Sequence, residues 1–348
     1  MPCQPFVAIH VGAGNHSPKK RAQYKAISKE SIELGLGLLK EGHSSEQVAA
    51  IVGKHLEDSR LTNSGSGSQM NARGEIECDA SLMSSRDLAF AAVGSVSGVL
   101  NPVDVAYRLL QNLRGPRDKR GRAKPVFLTG RGAKEFAEQS GAKIVPPYSM
   151  VTQANQRTYD LWKAVLENDE RKEEYGLESE EDENINDTIG IICYDKDGVL
   201  TVAASSGGII MKQPGRIGPA ACPWSGICIQ KPRTGVVGAS CATGHGEDIL
   251  NTRLSTLCQE YLHRYDGDET QAYPNLFQHI QTSFPLLQSQ PLYLGLLSAL
   301  VTETEVTISY AHTSESMILA HGSLDSKPKA VHSTNKSVGS VCFGAANL

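Results

Sequence analysis

The segment TIGIICYDKDGVLTVAASS, residues 188–206, decides the fold. Two apolar runs rich in β-branched residues flank the pair Asp197-Gly198, and such a pair between strand-like runs is a strong sequence signal for a β-hairpin. Both runs are continuous rather than alternating, which is typical of strands that are covered on both faces. The sequence therefore predicts an antiparallel hairpin within a buried sheet.

The remainder of the chain carries further strand and helix patterns. Strands are predicted at 6–11, 76–83, 90–99, 124–130 and within 292–321. Helices are predicted at 17–41, at 45–57, from Pro102 onward, at 132–140 and from 153 into a charged stretch at 170. Hairpin signals outnumber βαβ signals, so a doubly wound parallel sheet fits less well. We expect an α+β protein with an αββα sandwich, in which two stacked sheets lie between outer helices.

Composition limits the class of protein. The chain has 348 residues, 40% of them hydrophobic and 21% charged, with a formal net charge of −4, which is unlike a protein that coats nucleic acid. No run approaches the ~18 apolar residues of a membrane helix, and the first residues lack a secretory pattern. Eight cysteines occur without C-x-x-C pairs, and Cys78, Cys193 and Cys241 lie in apolar or small-residue runs. This usage is typical of reduced thiols, so we expect an intracellular protein without membrane or direct nucleic-acid partners.

A strongly acidic segment precedes the hairpin. Ten of the seventeen residues from Glu167 to Glu183 are Asp or Glu. Such a run buries too little apolar surface to order itself, and we expect a disordered loop at about 167–187. It divides the chain into an N-terminal part, 1–187, and a C-terminal part, 188–348, which we expect to form one globular domain together.

The joint Asp187–Thr188 separates this loop from the first strand of the hairpin. A cut at the joint would give Thr188 a free α-amine beside its own hydroxyl. An α-amine has a pKa of ~7.7–8.0, so it can accept the hydroxyl proton near neutral pH. One residue would then be both nucleophile and base. The ordinary alternative is a β-branched residue that begins a strand after a solvated turn.

Three other places contain groups that such a nucleophile needs. Ser206 ends the second strand of the hairpin, where the chain returns beside Thr188. Thr243 and Gly244 lie in a glycine-rich stretch before a helix, and their hydroxyl and N–H are suited to an oxyanion hole. Arg216, in GRIG, has a planar fork that suits a carboxylate. Each also has an ordinary reading: a strand-end serine, a helix-entry turn and a surface charge.

Several separated motifs resemble a known family in order and spacing. DTIGIICYDKDG, SSGG, GRIG and TGHGE resemble the β-subunit signature of the type-2 asparaginases, which are N-terminal threonine hydrolases. HVGAGNHS, LTNSGSGS, GEIECDASLM and VGSVSGVLNPVDVAYRLL are similar to the endopeptidase branch of that family, the threonine aspartases (taspases). The resemblance runs from about residue 6 to residue 320. It implies an N-terminal nucleophile hydrolase fold.

The resemblance implies a role for each matching residue of the C-terminal part. Thr188 matches the nucleophile that autoproteolysis releases after Asp187. Ser206 matches the hydroxyl that supports the nucleophile, and Thr243 and Gly244 match the pair that binds the oxyanion.

Substrate contacts are implied in the same way. Arg216 matches the arginine that holds the substrate carboxylate, and Asn63 matches a polar residue near the nucleophile. Gly12 and Lys20 fall in the segment that forms a substrate-side loop, where Lys20 would be a second, weaker anchor. The resemblance implies no cofactor apart from a sodium ion on backbone oxygens near residues 61–69.

Residue 219 differs from the asparaginase pattern. Those enzymes carry G-R-V-G-D, whose aspartate pairs with the free α-amine of the substrate, whereas this chain has Pro219 there. A peptide whose α-amine is already in an amide bond needs no such partner. We therefore expect an autoprocessing endopeptidase that cleaves proteins after Asp. The alternative is an isoaspartyl peptidase/L-asparaginase, and a rival of another class is an uncut scaffold that binds through its acidic loop.

The resemblance to the endopeptidase branch also implies partners and a location. The substrates would be proteins with an internal Asp site, among them nuclear transcription regulators. We expect the protein in the nucleus or the cytoplasm. The two parts of the chain would associate as an αβ heterodimer or as a dimer of that unit.

Overall fold

The structure is a computed structural model and describes residues 3–117, 119–167, 188–287 and 291–348. Within these ranges the strands are β1 Phe6–Gly14, β2 Cys78–Ser84, β3 Phe90–Val96, β4 Phe127–Thr129, β5 Ile189–Tyr194, β6 Leu200–Ser206, β7 Ile227–Arg233, β8 Val236–Gly244, β9 Leu294–Val301, β10 Val306–His312, β11 Ser316–Ser323, β12 Lys329–Thr334 and β13 Cys342–Asn347. The α-helices are α1 Arg21–Lys40, α2 Ser45–Asp58, α3 Pro102–Arg114, α4 Gly130–Gln139, α5 Gln153–Glu167, α6 Gly246–Thr252, α7 Leu254–Arg264 and α8 Glu269–Ser283.

Two sheets stack face to face between two layers of helices. The larger sheet has the strand order β12-β11-β1-β5-β6-β2-β3-β4, and the smaller has the order β13-β10-β9-β8-β7. Helices α1 to α4 contact the outer face of the larger sheet, and α7 and α8 contact the smaller one. Apart from the parallel pair β3 and β4, neighbouring strands run antiparallel. The predicted α+β class and αββα sandwich are confirmed.

The hairpin β5–β6 lies in the middle of the larger sheet, as its sequence predicts. Ile191 belongs to the apolar layer beneath the helices, and its neighbour Ile192 belongs to the layer between the two sheets. Since successive side chains of a strand point to opposite faces, a strand between two apolar layers needs a continuous apolar run. Capping also follows the sequence at α2, where Ser44 and Gln47 form a reciprocal capping box.

Several predicted boundaries are wrong. The first long helix begins at Arg21, because Pro18–Lys20 forms a short 3₁₀ turn before it. The strand expected at 124–130 is reduced to Phe127–Thr129 at the sheet edge. Thr243 and Gly244, read as a loop, are the last residues of β8, because both pair with β9. The acidic loop expected at about 167–187 lies outside the described residues except for Glu167, which ends α5.

In the part of the chain that the structure describes, no helix is both long and apolar enough to cross a membrane.

Candidate active site

Thr188 is the first described residue after the acidic segment and is 4% exposed. In the hairpin, Ile189 pairs with Ser205 in antiparallel register, so continuing the register by one residue places Thr188 opposite Ser206. The length of the hairpin therefore brings the two hydroxyl residues to the same end of two neighbouring central strands. Asp187, the other side of the predicted cut, lies outside the described residues.

Asn63 fixes the backbone that follows Ser206. Its side-chain Nδ2 donates to the Gly208 carbonyl oxygen at 2.7 Å, and its own carbonyl accepts from the Gly207 N–H at 2.7 Å. The Ser206 hydroxyl in turn accepts from the Gly208 N–H at 3.0 Å. A Cβ at Gly207 would lie 2.6 Å from Asn63 Oδ1 and 2.5 Å from Ser68 Cβ, so only glycine fits at this position. Asn63 thus reaches the site through the backbone next to Ser206.

Thr243 lies near the end of β8, on the strand face that packs against the start of β5 in the other sheet. Cys241, two residues before Thr243, has its Sγ 2.5 Å from where a Cβ of Gly190 would lie, so β8 and β5 are in close contact here. Thr243 is fully buried, and its hydroxyl has no hydrogen-bond partner among the described residues. Leaving a buried hydroxyl unpaired costs about 1–3 kcal/mol, so each such group calls for an explanation, of which a catalytic role is one. The Thr243 hydroxyl is therefore a candidate for a role in the site.

Gly244 has a conformation that other residues avoid. Its φ is +119°, and a Cβ there would overlap the carbonyl oxygen of Tyr293. The His245 N–H donates to that same carbonyl at 2.7 Å, which fixes the turn into α6. The strand end and the helix start thus hold the backbone of Gly244 in place.

His10 packs beneath the candidate nucleophile. It pairs with Gly190 across β1 and β5, and its ring occupies the space that a side chain at Gly190 would need. Burial lowers the pKa of His10 to about 3, against a smaller opposing effect of the Thr188 backbone. The imidazole is therefore neutral at physiological pH and fills space beneath the strand.

Arg216 is held by a carboxylate that the sequence analysis did not assign to the site. Its Nε and Nη2 donate to the two carboxylate oxygens of Glu247 at 3.0 and 2.9 Å. The guanidinium Nη1 lies 3.0 Å from the Cβ position of Gly208, two residues from Ser206. Arg216 thus lies near the strand ends that carry Thr188 and Ser206. The sequence signal for Glu247 is its place in the first turn of α6, which is also typical of an ordinary helix-start residue.

A cleft of about 770 Å³ opens beside Gly244. It is lined by Ala13, Gly14, Asn15, Trp162, Leu166, Ile209, Ile210, Met211, Gly244, His245, Asp248, Pro291, Tyr293 and Glu315. Gly12 lies just behind this wall, buried, with φ +118° in the irregularity of β1 between His10 and Ala13. Lys20 ends the short turn before α1 and, like Thr188, Ser206 and Arg216, is not among the lining residues. Its role as a substrate anchor stays a prediction.

The metal prediction rests on backbone atoms. Among the described residues, no group of three or more His, Cys, Asp or Glu side chains is arranged to hold a metal ion. The sodium ion predicted near 61–69 would use carbonyl oxygens, and those of Asn63, Ser64 and Gly65 already accept N–H groups of the protein. The sodium site stays a prediction.

Glu57 is fully buried behind the hairpin. Its Oε1 accepts from the Ser205 hydroxyl at 2.6 Å and from the Val103 N–H at 3.1 Å. Burial raises the pKa of Glu57 from its usual 4.5 to about 8, and the hydrogen bonds from Ser205 and Val103 oppose this only in part. The side chain is therefore uncharged in the folded protein at neutral pH.

Glu57 is expected to make the protein less stable as pH rises. The folded state keeps the proton up to about pH 8, whereas the unfolded chain loses it near 4.5. Its contribution is fully present below 4.5 and is lost as pH rises through 8, at up to about 1.4 kcal/mol per pH unit. Urea unfolding from pH 5 to 8 should show a steeper decline for the wild type than for Glu57→Gln. Exposed Glu75→Gln is the control, and equal slopes in wild type and Glu57→Gln would contradict the prediction.

Comparisons with known proteins agree with the asparaginase resemblance. Residues 3–320 match the family model described as asparaginase. A protein of Bos taurus is 33% identical over 254 residues, which cover 73% of this chain and 75% of the relative. One of Danio rerio is 33% identical over 255 residues (73% and 74%), and one of Homo sapiens is 30% identical over 254 residues (73% and 75%).

All three relatives bear the name isoaspartyl peptidase/L-asparaginase. Their names match the alternative that the sequence left open better than the endopeptidase that it favoured. The similarity nevertheless covers most of the chain, including Thr188, Ser206 and the glycine-rich turn at Gly244. This chain belongs to the asparaginase family and is a hydrolase with the N-terminal nucleophile fold.

Proposed function

We propose that the chain activates itself by cutting the Asp187–Thr188 bond and then uses Thr188 as an N-terminal nucleophile. The observation that carries the proposal is the hairpin register, which puts buried Thr188 opposite Ser206, two residues before Gly208, whose Cβ position lies 3.0 Å from Arg216 Nη1. A threonine mounted at the end of a central strand is rigidly positioned, as a nucleophile requires.

Self-cleavage would proceed by an N→O acyl shift. The Thr188 Oγ attacks the carbonyl carbon of Asp187, and the developing oxyanion is stabilised by the Thr243 hydroxyl and the Gly244 N–H. The C–N bond then breaks, the Thr188 nitrogen takes up a proton, and Asp187 is left as an ester on Thr188. Water adds to the ester, which releases the Asp187 carboxylate and regenerates the Thr188 hydroxyl beside a free α-amine.

In the mature enzyme the α-amine takes the proton of the Thr188 hydroxyl during attack on a substrate carbonyl. The same amine can return that proton to the leaving amine, which yields an acyl-enzyme that water hydrolyses. Ser206, opposite Thr188 in the hairpin register, would hydrogen-bond the threonine hydroxyl. Arg216 would hold a carboxylate of the substrate through charge-assisted hydrogen bonds.

For the substrate we propose an internal Asp of a protein, cut on its carboxyl side. Pro219, which follows Gly218, is buried and begins a short 3₁₀ turn. Because proline has no charged or polar side chain, this position has no group to bind a free α-amine. The cleft beside Gly244, at about 770 Å³, lies in the upper half of the ~300–1,000 Å³ range of ligand pockets. Its lining combines apolar side chains such as Trp162 and Ile210 with polar ones such as Asp248, and a cleft of this size suits a peptide better than one free amino acid.

Cleavage of isoaspartyl peptides or L-asparagine is the second candidate. The names of the relatives support it, and on the comparisons alone it is the better supported of the two. Glu247 also places a partly exposed carboxylate beside Arg216, where an ammonium group could pair with it. The two candidates therefore differ in whether the enzyme binds the free α-amine of its substrate. Pro219 stands where the asparaginases have the aspartate that binds this amine.

The remaining expectations are also proposals. Substrates would be proteins with an internal Asp site, among them nuclear transcription regulators, met in the nucleus or cytoplasm. The two fragments would stay together as an αβ unit, alone or as a dimer of such units.

Matched substrates separate the candidates. Purified enzyme is incubated with an internal-Asp peptide, the same peptide with Asn, a β-aspartyl dipeptide and L-asparagine. We expect the internal-Asp peptide to have the highest kcat/KM, about 10–100-fold above its Asn version, because losing a charge-assisted contact costs ~1.5–3 kcal/mol. Thr188→Val is the control for contaminating activity. Turnover of the dipeptide or asparagine with an uncut internal-Asp peptide would establish the second candidate instead.

A further inference from the structure

Two carboxylates hold the loop that carries Arg216. The Gly215 N–H donates to both carboxylate oxygens of Glu77 at 3.2 and 3.0 Å. The Gly218 N–H donates to Asp79 Oδ2 at 2.7 Å. Glu77 directly precedes β2 and Asp79 is its second residue. The start of this strand therefore holds the loop 215–218, the Arg216 loop, on both sides of Arg216.

Ser95, on the neighbouring strand, fixes both carboxylates. Its N–H donates to Asp79 Oδ1 at 2.8 Å, and its hydroxyl donates to Glu77 Oε1 at 2.8 Å. Ser95 has a φ of +48°, in the left-handed region that non-glycine residues rarely adopt. Such a conformation persists where the surrounding contacts over-determine it, and here those contacts are the two carboxylates.

A buried lysine balances the charge of this group. Lys212 is 2% exposed, and its Nζ donates to the carbonyl oxygen of Glu77 at 2.6 Å. Its Nζ and Arg216 Nη1 both lie close to the Cβ position of Gly208, at 3.2 and 3.0 Å. The positive charge of Lys212 lowers the pKa of Asp79 against the larger raising effect of burial. Two cations and two carboxylates thus surround the backbone that follows Ser206.

We propose that Glu77 and Asp79 are positioning residues that determine how strongly the enzyme prefers a substrate carboxylate. They do not face the cleft; they act by fixing the loop backbone, and so the place of the Arg216 guanidinium relative to Thr188. The proposal rests on the proposed function in one respect, that Arg216 binds a substrate carboxylate. It holds for an internal Asp as well as for the α-carboxylate of an isoaspartyl peptide or of asparagine.

The carboxylate at position 79 is suited to this task in a way that an amide is not. Asp79 accepts an N–H at each of its two oxygens. An asparagine offers one oxygen and one NH₂ group, so in Asp79→Asn either Gly218 or Ser95 would face a donor. One end of the Arg216 loop would then be released. A displacement of ~1 Å in a substrate-positioning group can cost about 10²-fold in rate.

The test measures carboxylate preference rather than activity alone. It compares kcat and KM of wild type, Asp79→Asn, Glu77→Gln and the exposed control Glu75→Gln, using a substrate and its amide: the internal-Asp peptide against its Asn version, or the isoaspartyl dipeptide or asparagine against its α-amide. We expect Asp79→Asn and Glu77→Gln each to lower the ratio of the two kcat/KM values by about 10–100-fold, mainly by raising KM for the carboxylate substrate. Glu75→Gln should keep the wild-type ratio.

A merely structural role would have a different signature. Equal losses of kcat/KM with both substrates, or an unchanged ratio, would overturn the proposal. If the wild type is active in the same assay, the proposed function would still stand. A wild type that cuts neither itself nor any substrate would overturn both. Should Asp79→Asn not fold, Glu77→Gln decides, because its side chain is only partly buried and a thermal melt shows whether the fold is kept.

Discussion

Thr188→Val protein is expected to run as one 37.4-kDa chain on a denaturing gel, while wild type separates into two fragments that divide after Asp187. Valine has nearly the shape of threonine, so it can occupy the buried position opposite Ser206 but offers no oxygen for attack. Hydrolysis of any substrate should fall by roughly 10⁴-fold or more, as is usual when the nucleophile of a covalent mechanism is removed. The measurements are the gel, N-terminal sequencing of the smaller fragment and steady-state rates.

Two further variants make this result specific. Thr188→Ser keeps a hydroxyl and should cut itself more slowly than wild type. Thr234→Val removes an exposed threonine in the β7–β8 turn and should behave as wild type. Two fragments from Thr188→Val with the same N-terminus would sink the mechanism. One intact chain from the wild type would favour the uncut scaffold.

Thr243→Val should separate catalysis from stability. If the Thr243 hydroxyl stabilises the oxyanion, its loss should lower kcat by ~10²–10³-fold. The same hydroxyl is fully buried with no partner among the described residues, so replacing it with a methyl group should not lower the free energy of unfolding and should raise it by about 1 kcal/mol. Urea unfolding of the two proteins, with kcat measured on the same samples, tests both halves.

Ser240→Ala is the matched control on the same strand. Its hydroxyl donates to the Ser255 carbonyl at 2.8 Å, so its loss should reduce stability while leaving kcat within a few-fold of wild type. A Thr243→Val enzyme with wild-type kcat would show that the buried hydroxyl takes no part in the reaction. A large loss of stability would show that the hydroxyl has a structural partner after all.

Much of the frame of the site was predictable from local pattern. The continuous apolar runs around Asp197-Gly198 require a hairpin covered on both faces, and the length of that hairpin places Ser206 beside Thr188. The four-layer architecture follows from hairpin signals that outnumber βαβ signals. These features depend on residues that are near one another in sequence, where periodicity and turn chemistry are informative.

The contacts around Arg216 were not predictable in the same way. Its fork meets Glu247, 31 residues away, and its loop is held by Glu77 and Asp79, more than a hundred residues away. Each of these side chains has an ordinary local reading, as a helix-start residue or a strand-end charge. Their partnership exists only once β2 and the Arg216 loop are brought together beside β6, and periodicity carries no signal for it.

The interleaving of the larger sheet has a consequence for the protein after it has been cut. Strand β1, from the segment before Asp187, lies between β11 and β5, which both come after it, and β6 is followed by β2. Cleavage would therefore break the covalent link without freeing either piece, since β1 and β2 of the first are hydrogen-bonded to β5, β6 and β11 of the second. Refolding, however, would change from a unimolecular to a bimolecular process, so the apparent stability of the mature form would depend on concentration. Activation would then be a one-way step: a molecule that unfolds after it would have to find the other half again.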